Sequence, residues 1–478
     1  SSNLAFDAVA CLCAQHKCDY DVPGAYLQGE QLTHEQCVYR PPVGFRNVDE
    51  CGVPILWLSN HPFYGQSDAG AIWNRTINTT FTSDQPPHRC GLTQCAQDPS
   101  LYSINVVDDG GDGEGGQVNN TLYVDDGRLA WDDDKPAIAK AKSIKGKLKD
   151  KYGIEFGCDD PAETHFLGAN IMTDKSQRVA SVRATLYIDL QVKRYADGDV
   201  SPSKRFPAHW SHLPADETLM CVWESAVANR TPASPELTKR YGSLFGSLLH
   251  AVKFRPEIVC ALGYCGSCLT FPTEELYECL MHILVYLGRS RRLGTTYSAY
   301  TENARRLQAF ADSNWSTTRS ITGFIIMLCG AAIVAVSQRQ HCITMSSCEA
   351  ELVALCDTAI ELLHIVEVVA ALGQDTSDAV VVSTDSKAAY DLCHRFTSSQ
   401  NSRHIDRKLF KMCELCGAGR VVVRHIPGET NPADLFTKIL ARQPFEKHRR
   451  TVLNTAGDVQ MEAAACDVSS LCEGTSAP

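Results

Sequence analysis

The last third of this 478-residue chain carries an order of elements that restricts the fold more than any other feature of the sequence. Apolar periodicity predicts three successive strands, over residues 307–312, 323–328 and 332–337. A long helix is predicted from Ser347 to Leu372. It opens on Ser346-Ser347-Cys348-Glu349, a fit to the capping box, in which Ser accepts from a backbone N–H and Glu reaches back. A strand over 379–384, a helical pair through 386–416, a strand over 420–424, a turn at Pro427-Gly428 and a helix from about Asn431 complete the pattern. That order requires a mixed α/β fold. Four acids fall at element edges: Asp312 ends the first strand, Glu351 lies in the first turn of the long helix, Asp385 ends the fourth strand, and Asp434 starts the last helix. Carboxylates drawn together from distant elements, rather than paired with Lys or Arg, point to a two-metal site.

Length and composition set outer limits. At roughly 150 residues per domain the chain holds two to four domains. Hydrophobic residues make up 44% and charged residues 21%, which excludes disorder through most of the chain. The 22 cysteines are too few for a disulfide scaffold of this length, so reduced thiols are expected. The longest uncharged apolar stretch, residues 323–336, is shorter than the roughly 18 residues of a membrane span. No secretory leader is legible, so an intracellular chain without a membrane partner is expected, in a cytoplasmic particle or the nucleus. A chain opening on Ser1 reads as a fragment or a processed product.

The net charge of −11 argues against a simple nucleic-acid-binding module. Its placement weakens that argument. Residues 91–134 hold ten acids against Arg128 alone, and residues 135–151 hold seven lysines against Asp150 alone. An acidic cluster beside a lysine run suits divalent metal and phosphate. The same pattern also suits a polar loop followed by a solvated helix face. Strand composition over 101–107 and 121–124 brackets a Gly-rich loop over 108–120. Tyr123-Val124-Asp125-Asp126 then places two carboxylates in a hairpin turn. Adjacent carboxylates repel and raise each other's pKa unless a cation sits between them. Residues 136–152 read as a helix, 195–235 as an irregular linker, 236–292 as helices, and the end of the chain as a disordered tail.

Several blocks occur in one order. They are Asp21 to Glu30 (DVPGAYLQGE), Val38 to Pro42, Gly44-Phe45, Tyr64-Gly65 with Ala69-Gly70 and Trp73, Asp98 to Tyr102, and Phe166-Leu167-Gly168. With the Tyr-Val-Asp-Asp string they resemble copia-type retrotransposon reverse transcriptases. Arg240 to Leu249 and Arg255-Pro256-Glu257-Ile258 resemble that family's connector. Ala311 to Trp315, Ser320 to Phe324, Ser346 to Leu355, Thr384 to Ala389, Ser402 to Asp406 and Asn431 to Lys438 resemble its ribonuclease H. The resemblance covers roughly residues 5–440.

The resemblance implies an α/β chain that is the C-terminal part of a polyprotein. An α+β palm over 1–195 would be followed by a helical connector over 196–304. A ribonuclease H-like mixed sheet over 305–442 and a tail over 443–478 would complete it. It implies Asp21, Asp125 and Asp126 as polymerase metal ligands and Tyr26 as the aromatic gate beside the incoming nucleotide. Asp312, Glu351, Asp385 and Asp434 would hold two Mg²⁺ (or Mn²⁺) for cleaving RNA in RNA/DNA hybrids. Glu351 is chosen over Glu349, whose part is the cap. His425 resembles the mobile histidine that assists product departure, and also fits a hydrogen-bonded turn histidine. Template-primer nucleic acid and the hybrid are the implied partners. The family's fingers segment would precede residue 1, and Gln66-Ser67-Asp68 replaces its Leu-Lys-Gln. Polymerase activity is therefore expected to be impaired, and a decayed remnant that only binds nucleic acid is the alternative. Cys265/Cys268 and Cys413/Cys416 have knuckle spacing but lack further ligands nearby, so buried thiols are expected rather than zinc.

Overall fold

The computed structural model describes residues 1–32, 37–83, 90–107, 115–394 and 406–455. They fall into two units, Gln15–Pro161 with Ala371–Gly373, and the remainder. Residues 162–195, expected to belong with the segment before them, lie in the second of these units. The reason is hydrogen bonding between distant segments. Strands Glu163–Phe166, Ala169–Asp174 and Val179–Arg183 join Thr295–Ser298 in a four-stranded antiparallel sheet.

The smaller unit is built on a six-stranded sheet. The central hairpin Gly116–Tyr123 and Asp126–Trp131 is flanked by Leu101–Val106 on one side and His16–Asp21 on the other. Helices Ala69–Thr82 and Lys135–Tyr152 supply Trp73, Phe81, Ile144 and Leu148 to a core that includes Tyr20, Tyr102 and Leu129. The second helix starts where the sequence dictates. Asp134 caps it by accepting from the Ala137 N–H at 2.8 Å, Pro136 occupies its first turn, and Gly153 ends it in the left-handed region. It buries Ala137, Ala141, Ile144, Leu148 and Tyr152; of its lysines, Lys135, Lys142 and Lys149 are exposed, while Lys145 lies over the Trp131 ring and Lys151 donates to Thr80 Oγ1 at 2.6 Å. The charge reversal after residue 134 is thus a helix face. Residues 108–114 of the Gly-rich segment lie outside the described residues. Residues 116–120, expected in the loop, are strand paired to both neighbours.

In the larger unit, helices Thr185–Ala196, Asp216–Asn229, Pro235–Ala251, Val259–Gly266 and Glu274–Arg289 form the connector. The expected linker over 195–235 is corrected, since a 14-residue helix runs from Asp216 to Asn229. Its proline-flanked sequence hides a helix that buries only Leu219 and Ala226. Arg255 and Glu257 form a fully buried ion pair at 2.6 Å, completed by Tyr286 and Ser290.

The last sheet matches the expected order. Strands Ala331–Arg339, Ile321–Leu328 and Gln308–Asn314 are antiparallel, and Val380–Thr384 and Val421–His425 extend them in parallel. The apolar run 323–336 is the hairpin of this sheet, and among the described residues no helix is long and apolar enough to cross a membrane. The long helix spans Ser347–Ala371. Two expectations at the end of the chain change. The helix expected from Asn431 is a short 3-10 turn, Pro432–Phe436, and an α-helix follows from Arg442 to Leu453. The tail expected from 443 therefore begins with ordered helix, and its residues 456–478 lie outside the described residues.

Candidate active site

Asp312, Glu351 and Asp385 converge although their elements are far apart in sequence. One carboxylate oxygen from each lies within 4.8 Å of the others, the only such group of three metal-ligating side chains among the described residues. The cap explains why Glu351 rather than Glu349 arrives there. Glu349 closes the capping turn: its N–H donates to Ser346 Oγ at 3.2 Å and its Oε2 accepts from the Met345 N–H at 2.6 Å. Two residues later, roughly 200° around the helix, Glu351 points elsewhere. It meets the first strand, where its Oε1 accepts from the Ser313 N–H at 3.3 Å.

The segment after the fifth strand closes the site. Asn431 is fully buried, and its side-chain amide donates to the Ala311 carbonyl at 3.0 Å and to Asp385 Oδ1 at 3.1 Å. Its Oδ1 caps the 3-10 turn through the Ala433 N–H. Thr437 Oγ1 donates to Asp312 Oδ2. Lys438 Nζ lies 3.2 Å from Asp312 Oδ2 and 2.6 Å from Asp434 Oδ1. Asp434 is thus not among the three converging acids; it joins them through Lys438. Close approach is possible because Gly323, the register partner of Asp312, has no side chain. A Cβ there would lie 2.9 Å from Phe436 Cβ and 3.0 Å from its carbonyl carbon. At Gly428 a Cβ would stand 3.0 Å from Asp385 Oδ2.

Burial dominates the electrostatics. It pushes the Asp312 carboxyl up to about 7 against the opposing pull of Lys438 and Thr437. It pushes Glu351 up to about 8, helped by the charge of Asp312. Burial would lower Lys438, but the carboxylates of Asp312 and Asp434 outweigh it and raise its pKa. Glu351 Oε2 is buried with no hydrogen-bond partner. An orphaned carboxylate oxygen beside two more carboxylates is a donor set for a hard divalent cation, so these residues fit the expected metal. His425 sits at the end of the fifth strand, exposed, with Nε2 3.1 Å from the Asp385 carbonyl.

In the smaller unit, Asp21 and Asp126 are register partners at the open end of neighbouring strands. Val124 turns the hairpin at φ 60°, and its carbonyl accepts from Trp73 Nε1 at 2.6 Å. The Asp125 carbonyl accepts from the Val22 N–H. Burial, then Asp125, Asp21 and Asp19, raise the Asp126 pKa. Asp21, Asp125 and Asp126 are neighbours, but they do not converge as the first three acids do. Tyr26 follows on a 3-10 turn, its ring 4.7 Å from that of Tyr64. Gln66, in place of the family's leucine, accepts from the Phe63 N–H and the Tyr39 hydroxyl, both at 3.3 Å. Cys265, Cys268 and Cys413 are buried thiols, and none enters a metal-ligating group among the described residues.

The residues not singled out from sequence are Asn431, Thr437 and Lys438. The signal was present: all three lie in the matched Asn431–Lys438 block, with Lys438 one helical turn beyond Asp434. Residues 402–405 of another matched block lie outside the described residues.

A sheet of three antiparallel strands extended by two parallel ones, with acids from the first strand, the long helix and the end of the fourth strand, defines a ribonuclease H-like fold, and the chain also carries an α+β unit. The chain's homologues are retrovirus-related Pol polyproteins of plant transposons. The chain is 26% identical over 435 residues to the polyprotein of transposon TNT 1-94 from Nicotiana tabacum, covering 89% of this chain and 30% of that protein. It is 29% identical over 433 residues to that of transposon RE1 from Arabidopsis thaliana, covering 89% of this chain and 26% of that one. It therefore spans less than a third of each of these polyproteins. No family model matches the chain. Among solved structures, the foamy viral protease-reverse transcriptase in complex with RNA/DNA hybrid is 12% identical, with TM-score 0.42, over 90% of this chain and 46% of that one. RNase H1 from Halobacterium salinarum is 16% identical, with TM-score 0.23, over 27% of this chain and 93% of that one.

Proposed function

We propose that this chain is a copia-type retrotransposon reverse transcriptase/ribonuclease H fragment that cleaves RNA in RNA/DNA hybrids at Asp312, Glu351 and Asp385. The observation that carries the reading is the convergence of these three acids around the unpartnered Glu351 oxygen. The three carboxylates would hold Mg²⁺ or Mn²⁺, two per site, with Asp434 released from Lys438 as a further ligand. Bound there, the metal supplies an activated water and charge stabilisation at the leaving oxygen. The protein's own contribution is orientation. Asn431 fixes Asp385, and Thr437 fixes Asp312. His425, exposed beside the Asp385 carbonyl, would leave that hydrogen bond to assist a departing product.

The hybrid and template-primer nucleic acid are the proposed partners, within an intracellular particle or the nucleus. Asp21, Asp125 and Asp126 are the proposed metal ligands of the palm, with Tyr26 at the nucleotide. Polymerase activity is impaired in this reading, because Ser67 and Asp68 stand where the family pattern has a lysine and a glutamine.

The test is cleavage of a labelled RNA strand annealed to DNA, with millimolar Mg²⁺. The unmutated chain should cut the RNA, and Asp385→Asn should reduce the rate by at least about 100-fold. No cutting by the unmutated chain, or equal cutting by the variant, overturns the proposal. A second reading is a remnant without catalysis. The Lys438 ammonium, which already balances Asp312 and Asp434, supports it. Failure of Mg²⁺ or Mn²⁺ to raise the melting temperature would favour that reading.

A further inference from the structure

A cleft of about 400 Å³ opens on the last sheet, on the strands that lead to Asp312 and Asp385. Its floor is set by strand register. Phe310 pairs with Ser383, and Ser383 pairs with Arg424, so the three form one row across parallel strands. Phe310 lies two residues before Asp312 and Ser383 two before Asp385. Alternation puts each pair on one face, a step of about 6.6 Å from the cluster. The 3-10 turn and the last helix contact the neighbouring strands 308–314, 321–328 and 331–339. The half of the face nearer Val380–Thr384 and Val421–His425 stays open: Val381 and Ile426 are half-buried, and Val422 is 44% exposed.

The lining combines apolar surface with cations. Asp378 is paired with Arg306 at 3.2 Å, and Asp375 accepts from the Ser377 N–H at 2.9 Å. Arg305 and Arg424 have no acidic partner among the described residues. An aromatic floor with two uncompensated guanidinium groups at the rim suits a base and its phosphate. The volume lies in the range of small-ligand sites. A paired base hides its faces in the stack, so only an unpaired nucleotide can enter.

We propose that this cleft, framed by Phe310, Val381, Arg305 and Arg424, binds an unpaired ribonucleotide of the nucleic acid whose duplex part lies at the acid cluster. The inference rests on the nuclease reading above for its duplex, and on the cleft alone for the nucleotide. Hybrids would then be held more tightly when their RNA strand continues beyond the duplex.

The experiment is fluorescence anisotropy in EDTA, where no cleavage occurs. One probe is a blunt RNA/DNA hybrid, and the other is the same hybrid with the RNA extended by three nucleotides at both ends. The extended probe should bind about tenfold more tightly, the size of one stacked base. Phe310→Ala and, separately, Arg424→Gln should bring the extended probe to the level of the blunt one and leave the blunt one unchanged. Two variants of different chemistry guard against misfolding, which would weaken both probes. Equal binding of the two probes, whether both bind or neither does, overturns the proposal. So does an extended-probe preference that survives both variants. Binding of the extended probe alone would support the cleft and remove the nuclease reading.

Discussion

Gly323→Ala tests how closely the site is packed. Gly323 lies opposite Asp312 in the neighbouring strand. The new methyl would lie 2.9 Å from Phe436 Cβ, 3.0 Å from the Phe436 carbonyl carbon, and closer still to Thr437 Cγ2. Backbone on one side and a strand on the other leave no flexible tip to swing away. Overpacking of this kind costs about 1–3 kcal/mol. For the larger unit, each kcal/mol lowers the melting temperature by roughly 2–4 °C. The Phe436–Lys438 segment must retreat, and Thr437 and Lys438 retreat with it from Asp312. A misplacement of about 1 Å costs on the order of 100-fold in rate. Two assays read the result: thermal melting, and hybrid cleavage at saturating Mg²⁺. Gly246→Ala is the control, because a Cβ at that exposed helical position meets nothing within 4 Å. It should stabilise by about 1 kcal/mol and leave cleavage unchanged. A Gly323→Ala chain that melts and cleaves like the unmutated one would refute the packing argument. So would a loss of the same size at Gly246.

Glu257→Gln breaks a fully buried ion pair and leaves the Arg255 charge with only the neutral oxygens of Tyr286 and Ser290, so denaturant titration should show a loss of about 3–5 kcal/mol. Lys438→Met leaves Asp312 and Asp434 facing each other without their cation; melting should fall in EDTA and recover with Mg²⁺ more than the unmutated chain gains. His282 stacks on Trp210, and burial, with His209, Arg289 and His212 nearby, pushes its pKa down to about 4. The folded state therefore binds this proton less readily than the unfolded chain. Its contribution is intact above about 6.5 and is lost as pH falls toward 4, up to about 3 kcal/mol. Urea midpoints between pH 4 and 7.5 should show that slope, and His282→Gln should flatten it; an unchanged slope in the variant would reject the assignment.

The last sheet was legible because strand and helix periods differ and local caps mark the boundaries. Ser346 and Glu349 form the cap that their spacing announces, and that cap separated Glu349 from Glu351. The helix Asp216–Asn229 was not legible, since it buries too few residues to show a stripe. Nor was the membership of residues 162–195, which depends on pairing with Thr295–Ser298 more than 100 positions away in sequence. In the sequence Asp434 falls at an element end like the other three acids; in the structure Lys438 bridges it to Asp312.

By itself the sequence determined element order in the last sheet, the capped helices, the acids at element ends and the blocks of family resemblance. These depend on neighbours within a few positions, where propensity and periodicity act. Tertiary structure alone decided that three of the acids converge and that one Glu351 oxygen is left without a partner. It also decided that Lys438 holds Asp434 and that Phe310, Ser383 and Arg424 share a row. Those relations depend on register and burial, and a buried charge is defined by what surrounds it in space rather than by what precedes it in the chain.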